Sequence, residues 1–187
     1  IKFILMSIVQ IKDKRFKTFI SEDEIQQRVK AVADRINHDM EGKKPLLLAV
    51  LNGSFVFAAD LMRMINIPSE ISFVKLESYA GTSTTGKVTE VLGLTTDITN
   101  RHVIVVEDIV ESGLTMQRML DTLNKHNPAS VEICTLLLKP ERLTVPLHIK
   151  YVAMEIPNDF ILGYGLDYDQ QGRNLRDIYT LVEDDEA

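Results

Sequence analysis

Val103-Ile104-Val105-Val106-Glu107-Asp108-Ile109-Val110-Glu111-Ser112-Gly113-Leu114-Thr115 is the stretch on which the fold turns. Its β-branched run, Val103 to Val106, reads as a strand covered on both faces. Two adjacent carboxylates, Glu107 and Asp108, stand at the carboxyl end of that strand. A short turn then leads into Leu114–Lys125, whose apolar spacing is helical. Backbone N–H groups at a helix N-terminus, with nearby hydroxyls and a glycine that permits close approach, bind a phosphate monoester. Glu107 and Asp108 can accept hydrogen bonds from ribose hydroxyls or help hold magnesium. One turn could thus grip a sugar 5-phosphate at one end and its diol at the other. The same residues also suit a plain helix start, with acids favoured by the macrodipole and Ser112 and Gly113 shaping the turn. Composition alone leaves the two readings level.

Working outward, Ser21 and Glu24 form a capping box, and Ile25, Val29, Val32, Ile36 and Met40 repeat at three- and four-residue steps before Gly42. Leu46 to Leu51 is a continuous apolar run stopped by Asn52-Gly53, the pattern of a central strand. Ser54–Ile65 carries Phe55, Ala58, Ala59, Leu61 and Met62 at helical spacing. Ile71–Leu76, Val88–Leu94, Val131–Leu138 and Ile149–Met154 supply further strands. Alternating helices and buried strands predict an α/β fold around a mostly parallel sheet. Ligands in such sheets bind beyond the carboxyl ends of the strands. The turns after Leu51, Val106 and Leu138 and the loop after Tyr79 are therefore the places for a site.

With 187 residues and about 150 per domain, one domain is expected. Lys and Arg total 21 against 27 Asp and Glu, a net charge of −6, so no basic field draws the chain to nucleic acid or anionic lipid. No apolar run approaches the roughly 20 residues that span a bilayer, so no membrane partner is expected. The single cysteine, Cys134, lies in an apolar run, reads as an inert core thiol and fits a reducing cytoplasm. The start, Ile1 to Met6, lacks the basic and small-residue features of a signal peptide. Met6 makes residues 1–5 candidates for a segment before the natural start. His38, His102, His126 and His148 show no ligand spacing.

Gly81-Thr82-Ser83-Thr84-Thr85-Gly86-Lys87-Val88 imitates the opening of a triphosphate-binding loop, yet Val88 offers no hydroxyl for magnesium and begins a strand-like run. A mobile lid is the better reading of this small, polar segment. The acidic tail, Glu183 to Glu186, is expected to lie in solvent.

The Glu107–Thr115 string resembles the phosphoribosyl-diphosphate signature of the type I phosphoribosyltransferases. Further landmarks narrow the resemblance to the hypoxanthine(-guanine) phosphoribosyltransferases. They are Leu51-Asn52-Gly53-Ser54, Ser78-Tyr79, Lys139-Pro140, and Glu155-Ile156-Pro157-Asn158-Asp159-Phe160-Ile161-Leu162-Gly163-Tyr164-Gly165-Leu166-Asp167-Tyr168 followed by Arg173. The likeness runs from about Ile8 to Leu181.

That resemblance implies a type I phosphoribosyltransferase fold: a core of roughly 21–145, and a small hood mainly from 146–187 plus N-terminal residues. It also implies transfer from 5-phosphoribosyl 1-diphosphate to a 6-oxopurine, hypoxanthine and also guanine. The products would be IMP or GMP and pyrophosphate, with Mg2+ required and a homodimer or homotetramer as the assembly. Glu111, Ser112, Gly113, Leu114 and Thr115 would bind the 5-phosphate, and Glu107 and Asp108 the ribose diol and magnesium. Glu111 would act as base near purine N7, Lys139 would donate to the 6-oxygen, Phe160 would stack on the base and the Ile161 carbonyl would accept from its edge. Asp167 would ligate a second magnesium, and Asn52, Gly53 and Arg173 would face pyrophosphate. Ser78 and Tyr79 open the lid, Ser78 to Lys87, and count with Glu111 among the catalytic residues.

Taken singly, Lys139 would pass for a surface lysine, Phe160 for a core aromatic, Asp167 for a turn carboxylate, Arg173 for a solvated cation and Tyr79 for a packing residue. The chain departs from the family pattern at two places: Glu111 stands where Asp is usual, and Asn52 where Lys is frequent. The peptide entering Asn52 is commonly cis in the family. A regulatory module without catalysis, a transferase for xanthine or another base, and, more remotely, a small kinase or NTPase are the rival readings.

Overall fold

A computed structural model of the chain describes residues 7–78 and 88–182. In chain order its elements are β1 (Ile8–Ile11), β2 (Lys14–Ile20), α1 (Glu22–Asp39), β3 (Leu46–Leu51), α2 (Phe55–Met64), β4 (Glu70–Ser78), β5 (Val88–Leu92), β6 (His102–Val110), α3 (Leu114–Asn124), β7 (Ser130–Leu138), β8 (Tyr151–Glu155), β9 (Ile161–Leu162) and β10 (Ile178–Leu181). Residues 1–6, the tail from 183 and residues 79–87, with most of the expected lid, lie outside the described residues.

The main sheet has the order β5-β4-β3-β6-β7-β8; β4, β3, β6, β7 and β8 run parallel, and β5 joins the edge antiparallel. Alternation along the strands splits the core. Leu47, Ala49, Ile104 and Val106 face α1 and α2, while Leu46, Leu48, Val50, Val103 and Val105 face α3. Both faces are covered, as continuous apolar strands require.

Helix α1 begins as expected, with the Ser21 hydroxyl accepting from the Glu24 N–H at 3.3 Å and Ile25, Val29, Val32 and Ile36 buried. In α2 the buried residues are Phe57, Ala58 and Leu61. Phe55 is 43% exposed, so its assignment to the apolar stripe is corrected: it occupies the first helical position, outside the face that meets the sheet. No helix among the described residues is long and apolar enough to cross a membrane.

A second, antiparallel sheet, β1-β2-β10-β9, forms the hood. It draws on both chain ends and buries Phe16, Leu162 and Tyr179. The expected core boundary near 145 is too early, because β8 completes the main sheet through Glu155. Its partner β7 supplies the ladder, a pairing that β8's own five residues do not announce.

Candidate active site

The strand order places the site. From β3 the chain moves to β4 on one side, and β6 takes the other, so the crevice between β3 and β6 is the switch point at which α/β sheets bind ligands. β6 pairs with β3 only from Val103 to Val106 but with β7 as far as Val110. The sequence reading stopped this strand at Val106; the ladder to β7 carries it four residues further. Glu107 and Asp108 therefore lie beyond the paired part of β3, still on an ordered strand. At the end of β3 the Leu51–Asn52 peptide is cis, as the resemblance implies.

Glu107 is buried, and burial, followed by the neighbouring Asp108 carboxylate, holds its carboxyl well above the usual carboxylate range. The Asp108 N–H donates to Glu107 Oε1 at 3.3 Å and the Ile109 N–H to Asp108 Oδ1 at 3.0 Å. The Asp108 carboxylate rests on the α-carbon of Gly53, where any Cβ would overlap it. A glycine after β3 is thus what lets the core acid and the loop touch.

Gly113 caps α3 with φ of 79°, a left-handed conformation that glycine adopts without penalty. The Ser112 Oγ accepts from the Leu114 N–H at 3.4 Å. The Ser112 carbonyl accepts from the Thr144 N–H at 3.0 Å and the Thr144 hydroxyl at 3.1 Å. The turn and the start of α3 border an open concavity of about 290 Å3, whose walls include Glu107, Glu111, Ser112, Gly113 and Thr115. The exposed Leu114 stands beside it.

Lys139 is no surface lysine. It is 5% exposed, its N–H donates to the Val110 carbonyl at 3.0 Å, and its ammonium ion-pairs with the Glu111 carboxylate. The ladder between β6 and β7 places these two residues at neighbouring strand ends.

Asp167, Arg173, Phe160 and Ile161 belong to the hood side. Asp167 and Arg173 form an ion pair at 2.7 Å, so neither is a merely solvated charge. The Gln170 N–H donates to Asp167 Oδ2 at 2.7 Å, and Arg173 Nη1 donates to the Gly165 carbonyl at 2.8 Å. Gly165 in turn lies on the Gly53 carbonyl, closer than any side chain would allow. Gly53 therefore touches the Asp108 carboxylate on one side and the hood on the other.

Phe160 is 47% exposed, not a core aromatic, and meets the Tyr168 ring edge-on at 5.8 Å between centroids. Ile161 is buried at the start of β9, and neither residue walls the concavity. Asn52 is exposed. Ser78 ends β4, and Tyr79 lies outside the described residues. Ser54 and Tyr164, landmarks of the resemblance without an assigned role, are both buried, and the Ser54 hydroxyl donates to the Val50 carbonyl at 2.6 Å. The glycines flanking Tyr164 were the available signal of a role.

Among the described residues no three His, Cys, Asp or Glu gather into a protein-only metal cage. Glu107 and Asp108 nevertheless suit a hard cation, because magnesium takes one or two carboxylates and completes its shell with water and substrate oxygens. Glu107, buried beside the half-buried Asp108, has need of such a charge or of hydroxyl donors.

The family model described as "Phosphoribosyl transferase domain" matches residues 21–169. The hypoxanthine phosphoribosyltransferase of Buchnera aphidicola is 44% identical over 169 residues, covering 89% of this chain and 96% of that protein. That of Haemophilus influenzae is 39% identical over 176 residues, covering 92% and 98%. A crystal structure of a hypoxanthine-guanine phosphoribosyltransferase from Bacillus anthracis, with a HEPES molecule in its active site, superposes with a TM-score of 0.83 at 46% identity, covering 92% of this chain and all of that one. A glycine turn opening a helix, paired acids at the sheet's switch point and these relatives agree, and the chain belongs to the hypoxanthine(-guanine) phosphoribosyltransferases of the phosphoribosyl transferase domain family.

Proposed function

We propose that the chain transfers the phosphoribosyl group of 5-phosphoribosyl 1-diphosphate to hypoxanthine, and to guanine, giving IMP or GMP and pyrophosphate in purine salvage. The observation that carries this reading is the contact between Lys139 and Glu111 at the mouth of the concavity that holds Glu107 and the α3 N-terminus. A 6-oxopurine presents O6 and N7 side by side on one edge, and a touching ammonium and carboxylate complement that edge.

In this reading the turn from Glu111 to Thr115 grips the 5-phosphate through the N–H groups of α3, and Glu107 and Asp108 accept from the ribose hydroxyls. Phe160 stacks on the base and the Ile161 carbonyl accepts from its edge. Lys139 donates to O6 while Glu111 takes the proton from N7. The lone pair of N9 forms the bond to the anomeric carbon, and the bond to pyrophosphate oxygen breaks with its electron pair. Arg173, with the N–H groups near Asn52 and Gly53, faces the charge that grows on the leaving group. Magnesium, when bound, supplies positive charge there, with Glu107, Asp108 and Asp167 as its protein oxygens. Ser78 and Tyr79 help exclude the water that would hydrolyse the activated sugar.

A cytoplasmic homodimer or homotetramer, with neither nucleic acid nor membrane as partner, completes the proposal; the net charge of −6 supports the exclusion of nucleic acid and anionic lipid. The test is incubation with 5-phosphoribosyl 1-diphosphate and magnesium, with hypoxanthine, guanine, xanthine or adenine supplied separately, following pyrophosphate and nucleotide. Turnover with hypoxanthine that stops on adding EDTA and returns with magnesium is expected. Reaction with xanthine alone would reassign the substrate, and binding of the activated sugar without turnover would favour a regulatory role.

A further inference from the structure

Three consecutive residues of the hood, Gly163, Tyr164 and Gly165, have positive φ of 101°, 48° and 102°. Glycine accepts this readily, but a bulky aromatic in the left-handed region is uncommon and persists only where its surroundings impose it. The surroundings of Tyr164 are specific. It is 3% exposed, and its hydroxyl donates to Asp60 Oδ2 at 2.6 Å. The Gln26 amide donates to the same Asp60 oxygen at 2.6 Å and lies 3.4 Å from the Tyr164 hydroxyl. Arg63 also faces the Asp60 carboxylate, at 3.8 Å. Burial and the Asp60 carboxylate raise the Tyr164 phenol above its ordinary range, so it stays a donor.

The consequence of that peg appears one residue later. Gly165 rests on the Gly53 carbonyl and approaches the Val56 Cβ, and Val56 and Asp60 are one turn apart on the same face of α2. The hood segment thus lies along α2, with Tyr164 fixed at Asp60 and Gly165 at the loop before the helix. The Gly165 N–H donates to the Arg173 carbonyl at 3.0 Å, and its own carbonyl accepts from Arg173 Nη1. The core loop at Gly53 and the hood pair Asp167–Arg173 meet at this one glycine.

We propose that Tyr164, held by Asp60 and Gln26, is a positioning residue that sets Arg173 against the Gly53 loop so that both address one diphosphate. The proposal rests on reading Arg173 and Gly53 as pyrophosphate ligands. Tyr164 touches no substrate; it acts through Gly165. Its effect is therefore selective for the diphosphate half of the site, since the 5-phosphate turn at Gly113 and the Lys139–Glu111 pair are carried by other elements, and Phe160 and Ile161 on the same hood segment are tied separately to β10.

The test compares the wild type with Tyr164→Phe, Asp60→Leu, Asp60→Asn and Gly165→Ala, measuring affinity for pyrophosphate and separately for IMP, with the KM for 5-phosphoribosyl 1-diphosphate. Tyr164→Phe and Asp60→Leu are expected to weaken pyrophosphate binding and raise that KM about tenfold, the worth of one lost hydrogen bond, with IMP affinity within about twofold of wild type. Asp60→Asn, which keeps an acceptor oxygen, rescues most of the loss. Gly165→Ala, whose added carbon meets the Gly53 carbonyl, gives the same selective defect without touching the peg and covers the case of a peg variant that does not fold. Equal losses for IMP and pyrophosphate, or no loss in the peg variants, would overturn the positioning role. A wild type that binds no pyrophosphate would instead overturn the underlying site reading.

Discussion

The ammonium of Lys139, whose side chain is 7% exposed, is neutralised by the carboxylate of Glu111, which is 45% exposed. The pair is asymmetric: the cation is committed to the interior and the acid stands at the mouth of the site. Glu111→Ala strands the buried cation, and we expect a stability loss of about 1–3 kcal/mol in urea unfolding. Turnover with hypoxanthine should fall by about 10²-fold or more. Lys139→Met removes the buried charge itself, so it should spare stability more than Glu111→Ala while raising the KM for the 6-oxopurine. Full activity in Glu111→Ala would remove this residue from the chemistry.

Glu107 links function to pH. Burial, then Asp108, raises its folded-state pKa, so the folded protein keeps a proton that the unfolded chain has already released. Stability is therefore greatest below the unfolded pKa and declines as pH rises toward the folded one. Glu107→Gln cannot lose a proton. It should raise Tm at neutral pH by a few degrees and flatten the decline, while weakening binding of the activated sugar. A melting curve series from pH 4 to 9 reads this directly, and an unchanged slope would contradict it.

Gly53 is the contact between three parts of the site. Its α-carbon lies under the Asp108 carboxylate and its carbonyl under Gly165. In Gly53→Ala the new methyl must displace Asp108, and a displacement near 1 Å lowers turnover by about 10²-fold. The protein should remain folded, since Gly53 is not left-handed and lies outside the core clusters. Near-normal kcat/KM for the activated sugar would show that the acid can move at no cost.

Gly113 meets two constraints at once. Its φ is 79°, and an added Cβ would lie 3.0 Å from Val145 Cγ2 and 3.2 Å from Leu143 Cδ2. Gly113→Ala should destabilise the fold by about 1–3 kcal/mol, and weaken IMP binding through the 5-phosphate turn. Ribose lacking the phosphate should bind equally to both proteins in a calorimetric comparison.

Much of the core was legible from local pattern. The capping box at Ser21, the apolar run Leu46–Leu51 and the strand-to-turn string Val103–Thr115 each specify their own element, because the relevant forces act between residues a few positions apart. The hood was far less so. Strand β9 has two residues, β1 has four, and β2 is a charged stretch in which Phe16 and Ile20 alone are buried. Their shared core joins Phe16 to Leu162 and Tyr179, contacts that no window of sequence contains.

The same division runs through the site. The residue string alone dictated a buried parallel strand, two acids at its end and a glycine turn opening a helix, whereas the kind of ligand followed only from the resemblance of the whole string to a known signature. Tertiary structure decided that Lys139 is buried on Glu111, that Phe160 is displayed, that Asp167 meets Arg173, and that Tyr164 pins the hood to α2. Those contacts join segments separated by 28 to 104 positions in the Lys139–Glu111 and Tyr164–Asp60 pairs, and only closing the chain around the two-faced sheet brings them together.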